Sequence, residues 1–197
     1  MFILASQSNT RKALLEQAGL SFVTVPASID ERTLESDAVA AGGDGRDVAL
    51  LLARHKAEAV ARNHPGALVI GADQTLSLGT TLLHKPVDRA DAAAQLEHLR
   101  GKTHRLHAAV TLVRDDSVLW SDIQTAELTM RDFTPSERDD VLDREGDAIF
   151  GSVGGYRLEG PSIHLFEKVV GDYFTILGLP LLPLLAALRA IAPETLR

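Results

Sequence analysis

Leu68-Val69-Ile70 is a polar-free run of the type found in strands buried on both faces, and such a strand folds only beneath covering helices. The chain supplies them, because short apolar runs alternate with helical apolar stripes from end to end. Residues 2–5 read as a strand, 9–18 as a helix stopped by Gly19, and 22–25 as a short strand ended by Pro26. Further helices are expected over 47–63, capped by Asp47, and over 88–99, 135–144 and 181–191. Strands are expected over 103–113 and 118–128, joined across Asp115-Asp116, and over 163–169. Residues 30–46, acidic and rich in glycine, read as a mobile loop. The alternation specifies an α/β fold with a mixed sheet, and the length of 197 residues suits one domain over 1–197.

Composition narrows the function classes. With 45% apolar and 24% charged residues the chain can bury a core. It has no cysteine, which removes disulfides, thiolate nucleophiles and thiolate metal sites and suits a reducing cytoplasm. No basic stretch leads into a long apolar run at the N-terminus, and the apolar segment from Leu177 is too short and proline-broken to span a bilayer. A net charge of −7 argues against a nucleic-acid polymer or an anionic membrane as partner, while leaving room for a small anion met by a local cation cluster.

Ser6-Gln7-Ser8-Asn9-Thr10-Arg11, at the joint between the first strand and the first helix, is such a cluster. A helix N-terminus presents unpaired N–H groups and a positive dipole end. Ser6, Ser8 and Thr10 add hydroxyls there and Arg11 adds a planar cation, which together suit a phosphate. The same residues also suit a plain cap at Ser8 or Asn9 with a solvated Arg11. Gly71-Ala72-Asp73-Gln74 follows the buried run directly, so Asp73 is expected at the carboxyl end of an interior strand, with small residues before it that let a ligand approach.

Lys56 falls four residues from both Leu52 and Val60 and so borders an apolar stripe, as a snorkelling lysine also would. Lys85 precedes Pro86 in a loop. Asp30-Glu31, together with Asp73, could supply carboxylates to a hard divalent cation. The histidines show no zinc spacing and most read as surface or turn residues. Gly154-Gly155-Tyr156-Arg157-Leu158-Glu159-Gly160-Pro161 is a second glycine-rich patch, either a tight turn or a pocket wall in which Glu159 accepts from a base.

In order along the chain, ILASQSNTR, Asp30-Glu31, LARHKAEAVA, VIGADQTL, HKP, GKTH, GGYRLEG and GDYFTILGLPLLPLL closely resemble the Maf family of nucleoside triphosphate pyrophosphatases, from Ile3 to about Ala190. The resemblance implies a long twisted mixed sheet with flanking helices and two lobes around a cleft, related to inosine triphosphatase. It implies hydrolysis of a nucleoside triphosphate to monophosphate and pyrophosphate, assisted by Mg²⁺ or Mn²⁺, in a cytoplasmic protein that could form a homodimer. By position Asp73 resembles the catalytic base. Ser6, Ser8, Arg11, Lys56 and Lys85 resemble the triphosphate-binding groups, and Glu31, with Asp73, resembles the metal carboxylates.

Thr10, Gln74 and Glu159 fall where the family tunes base selection. Members acting on dTTP and UTP usually carry Thr and Gln where this chain has Gln74 and Glu159, as in the branch resembling 7-methyl-GTP pyrophosphatase. Thr10 matches neither branch. The substrate therefore leans towards a modified purine, with dTTP or UTP as the alternative within the family. Asn9-Thr10, His84 and Gly151-Ser152-Val153 also depart from the family pattern. A nucleotide-binding regulator of cell division without turnover is the alternative outside catalysis; it would need the phosphate cradle but not the carboxylate at Asp73.

Overall fold

The computed structural model describes residues 1–196. They gather into two compact units. The first comprises Met1–Gln74, His107–Gln124 and the C-terminal stretch from Asp172; the second comprises Thr75–Leu106 and Thr125–Gly171. One seven-stranded sheet has the order β2-β1-β3-β5-β6-β7, with β4 paired to β3. Its strands are β1 (Phe2–Ala5), β2 (Val23–Thr24), β3 (Leu68–Leu78), β4 (Thr81–Leu83), β5 (Thr103–Arg114), β6 (Ser117–Met130) and β7 (Phe166–Val170). β1 pairs in parallel with β2 and β3, whereas β3–β4 and β6–β7 are antiparallel, so the sheet is mixed as expected. No helix among the described residues is long and apolar enough to cross a membrane.

In the first unit the period-two alternation of strands sorts side chains onto two faces. Phe2, Leu4, Leu68, Ile70 and Ala72 point to the side covered by α1 (Asn9–Gln17) and α7 (Leu181–Ile191), where they meet Leu14, Leu15, Leu184 and Leu188. Ile3, Ala5 and Val69 point to the side covered by α3 (Gly45–Ala61), meeting Ala57, Val60 and Ala61. A leucine such as Leu15 or Leu188, fully enclosed here, costs about 2–5 kcal/mol when cut to alanine. By the same alternation Asp73 continues the α3 side and Gln74 the α1 side.

Residues 30–46 are not a loop. They contain α2 (Glu31–Ala40) and the start of α3. Asp30 caps α2 by accepting from Thr33 N at 3.1 Å, and Asp44 caps α3 in a reciprocal box with Asp47. Asp47 is thus the third helical residue and not the cap. The glycines that suggested mobility are confined to the α2–α3 turn, where Gly42 has φ +90°, and to the first position of α3.

In the second unit α4 (Arg89–Leu99) packs on α5 (Pro135–Glu145) and on the turn at Val153–Gly155. Gly155, at φ +69°, lies against Ala92, whose Cα would stand 3.2 Å from an added Cβ, so a side chain there would be strained and crowded. Residues 163–165, expected as the start of a strand, lie in a 3-10 turn over Pro161–Leu165, and β7 begins only at Phe166. Pro161 explains the shift, since its fixed φ opens a helical turn and its missing N–H cannot join a ladder.

Candidate active site

Asp73 lies in the middle of β3 and not at its end, because β3 runs on to Leu78 and pairs there with β4 across the Gly79-Thr80 turn. The carboxylate is buried, at 7% exposure. Lys56 reaches it from α3, with Nζ donating to Asp73 Oδ1 at 2.6 Å and standing 3.0 Å from Glu31 Oε2, at the start of α2. A single ammonium thus bridges the two carboxylates assigned to a metal. Lys56 does not snorkel into water: only 12% of its side chain is exposed.

Gly71 explains how the lysine gets there. A Cβ at Gly71 would collide with Ala53 O and with Ala57 of α3. The glycine of the Gly71-Ala72-Asp73 run therefore admits a helix and not a ligand, and Ala72 is buried in the opposite core. The close approach sets Lys56, next to Ala57, beside Asp73 two residues along the strand.

At the β1–α1 joint the cap and the cluster coexist. Ser8 caps α1, its Oγ accepting from Arg11 N at 3.3 Å. Ser6 Oγ accepts from Ser8 N at 3.2 Å and from Arg11 Nη1 at 3.3 Å. Arg11 is not a solvated surface cation, for its Nε donates to Gly178 O at 2.7 Å. Both serine oxygens act as acceptors in these bonds, so each hydroxyl hydrogen remains a donor. Thr10 is half-buried in the first turn of the same helix.

Gln74, on the α1 side, donates from Nε2 to Thr175 O at 3.1 Å and Ile176 O at 2.9 Å, both in α6 (Tyr173–Ile176). Its amide hydrogens are committed to backbone, which leaves Oε1 as the group it can offer a ligand. Gly178, at φ +92°, makes room for this amide and for Arg11.

The electrostatics follow from burial. Desolvation pushes the Asp73 carboxyl above its ordinary range, opposed by the Lys56 and Arg11 cations. Burial likewise pulls Arg11 down, opposed by the charges of Asp73 and Glu31. Among the described residues no group of three or more His, Cys, Asp or Glu is arranged to hold an ion. Glu31 and Asp73 nevertheless converge on one cation, which is the donor set a hard ion uses when water and phosphate complete its shell.

Lys85 and Glu159 belong to the second unit. Lys85 is exposed between β4 and α4. Glu159 stands in the turn before Pro161, its Oε1 3.5 Å from Arg157 Nε. The turn is braced by a residue the sequence did not single out, Glu145, whose Oε1 accepts from Ser162 N at 2.9 Å and Ser162 Oγ at 2.7 Å. Most histidines were expected at the surface or in turns, but two are inside: His107 is buried, and His104 Nε2 pairs with Tyr156 OH at 2.6 Å. Burial holds His104 neutral, with its pKa lowered to about 4. Gly71 was visible as a small residue and Glu145 as one acid among many; neither carries a spacing signal, because its partner is distant in sequence.

An α/β sheet with a buried carboxylate, a lysine on it and an arginine at a helix N-terminus brings together groups of the chemistry that suits a small polyanion. The Maf-like protein family model matches residues 1–191, and the chain belongs to that family. It is 54% identical over 188 residues to a nucleoside triphosphate pyrophosphatase of Bradyrhizobium diazoefficiens, covering 95% of this chain and 92% of that one. It is 51% identical over 187 residues to a 7-methyl-GTP pyrophosphatase of Brucella abortus, covering 95% and 94%. A 7-methyl-GTP pyrophosphatase of Rhizobium etli is 53% identical over 189 residues, covering 96% and 95%. Among solved structures, a HAM1 protein from Coxiella burnetii aligns with 67% of this chain and 73% of its own at a TM-score of 0.44 and 18% identity.

Proposed function

We propose that this protein hydrolyses a nucleoside triphosphate to the monophosphate and pyrophosphate, with a 7-methyl-GTP-like purine as its substrate. The observation that carries the reading is the buried Asp73 carboxylate held at 2.6 Å by Lys56, because a phosphate-binding regulator has no need of a desolvated acid. The names borne by relatives at about half identity support the same activity.

Ser6, Ser8, Arg11 and the N–H groups of α1 receive phosphate oxygens, and Lys56 and Lys85 take charge on the β and γ groups. Lys56 is shared by Asp73 and Glu31 in the free protein. Phosphate oxygens that draw it away leave Asp73 with its raised proton affinity and make it a base. Asp73 then takes the proton of a water attacking the α-phosphorus while the α–β bridging P–O bond breaks and pyrophosphate departs. The cations that neutralise the leaving group supply the dominant electrostatic stabilisation. A divalent cation, Mg²⁺ or Mn²⁺, would be held by Glu31 and Asp73 and would supply further charge neutralisation at the phosphates. Glu159 reads the base, since a carboxylate can accept from both N1–H and the N2 amino group of a guanine edge. Thr10 and the fixed amide of Gln74 complete the selection. The setting is a reducing cytoplasm and one catalytic domain.

Pyrophosphate release by the purified protein with Mg²⁺ or Mn²⁺ tests the activity over 7-methyl-GTP, GTP, UTP, dTTP and CTP. Absence of release from every nucleotide, with binding retained, would replace the enzyme by a nucleotide-binding regulator. Glu159→Gln should move the preference from guanine-type bases towards UTP and dTTP, and an unchanged order of kcat/KM would remove Glu159 from base reading.

A further inference from the structure

Glu145, the last residue of α5, is a buried acid whose two oxygens are treated differently. Oε1 takes both hydrogen bonds from Ser162, and these suffice to brace the 161–165 turn. Oε2 is buried with no hydrogen-bond partner. Gly160 is so close that a Cβ there would run into the carboxylate, so the turn is fitted around this group. A buried carboxylate oxygen left without a bond is costly, and bracing does not account for it.

The cation facing Oε2 is Arg157, with Nη1 at 3.7 Å. The same guanidinium has its Nε 3.5 Å from Glu159 Oε1. Both distances exceed the roughly 2.7–2.9 Å of a closed charge-assisted hydrogen bond. Arg157 therefore stands between two carboxylates and closes on neither. Only 1% of the Glu145 side chain is exposed, against 29% of Glu159. The buried acid consequently attracts the guanidinium through a lower effective dielectric than the exposed one does.

We infer that Glu145 is the positioning residue for Glu159 and acts through Arg157. Its buried charge holds the guanidinium part-way back, which leaves the edge of the Glu159 carboxylate open to the donors of a base. Without that pull Arg157 would close on Glu159 and occupy the edge that a guanine-type base needs. The inference rests on Glu159 being the group that reads the base.

Glu145→Gln tests it, since the amide oxygen can still accept from Ser162 while the charge is gone. The kcat/KM ratio for 7-methyl-GTP over UTP should fall about tenfold, as it should in Glu159→Gln. Adding Arg157→Gln to Glu145→Gln should restore the ratio to within about threefold, because no guanidinium is then left to cover Glu159. A purely structural Glu145 would lower activity on every substrate alike and gain nothing from the second change, and that result overturns the inference.

The Arg157 Nε–H resonance reads the same device without turnover. It should move on Glu145→Gln as Arg157 closes on Glu159. It should move the opposite way on Ser162→Ala, which takes a donor from Glu145 and strengthens its hold on Arg157. If Glu159→Gln leaves the substrate order unchanged, base reading by Glu159 fails, and an unmoved Arg157 resonance in Glu145→Gln then overturns the positioning as well. If Glu145→Gln does not fold, the Ser162→Ala shift decides, and its absence overturns the inference.

Discussion

Asp73 and Glu145 are both buried carboxylates, one in each compact unit, and the fold equips them in opposite ways. Asp73 receives a lysine at 2.6 Å because Gly71 lets α3 close on β3. Glu145 receives neutral donors from Ser162, and its arginine stays at 3.7 Å, shared with Glu159. The first arrangement joins a helix and a strand, elements whose rotamers are fixed by packing. The second is built on a turn, where a side chain can be re-aimed at small cost. A short buried pair suits a group whose charge must be controlled at every turnover. A loosely shared cation suits a group that adapts to the edge it meets.

The largest effect should come from the short pair. Asp73→Asn retains shape and the acceptor for Lys56 but removes the base, and kcat should drop by about a hundredfold or more with nucleotide affinity largely kept. Turnover within about twofold of wild type would dismiss Asp73 as the base. Arg11→Ala, Lys56→Ala and Lys85→Ala should come next, each weakening a non-hydrolysable triphosphate by about tenfold and the matching monophosphate far less. Calorimetry with both ligands checks this, and equal losses would move these cations off the polyphosphate.

Gly71→Ala breaks the geometry behind the pair without touching a charge. The methyl group has to push α3 from β3, at a cost of about 1–3 kcal/mol in stability, and it should separate Lys56 from Asp73. Chemical unfolding together with kcat measures both consequences. Stability lost at full turnover would show that the close approach serves packing alone.

The smallest effect belongs to the second unit and depends on pH. His104 is buried with its pKa lowered to about 4 from 6.5, so the unfolded chain binds the extra proton first as pH falls. The stability this neutral imidazole lends is whole above about pH 6.5 and is lost as pH drops towards 4. Between pH 6.5 and 5.5 the loss should be about 1 kcal/mol. Urea midpoints for wild type and His104→Gln over that interval should converge on lowering pH, since the amide keeps a partner for Tyr156 and has no proton to gain. Parallel curves would mean that His104 already titrates as an exposed histidine.

Much of the architecture was legible because it rests on local periodicity. The buried run at Leu68, the stripe at Val48 and Leu52 and the cap at Ser8 are each written within a few residues. Expectations went astray where polar residues were read as loop. Asp30 and Asp44 cap helices, and the polar Thr75 and Ser77 continue β3 past Asp73 with their side chains buried. Composition ranks such residues as turn formers, whereas a cap or a buried ladder uses the same hydroxyls and carboxylates as partners for backbone.

The sequence by itself determined the α/β alternation, the helix N-terminus loaded with hydroxyls and Arg11, and the family to which the chain belongs. It also placed Lys56 at the border of an apolar stripe, which is a statement about one helix. Only the tertiary structure decided that this lysine bridges Glu31 and Asp73, that Gly71 makes room for a helix, and that Glu145 at the end of α5 faces Arg157. The reason is range. Periodicity and capping are settled between residues three or four apart, whereas each of these contacts joins groups whose separation is set by how a strand, a helix and a turn pack, and no local pattern encodes that distance.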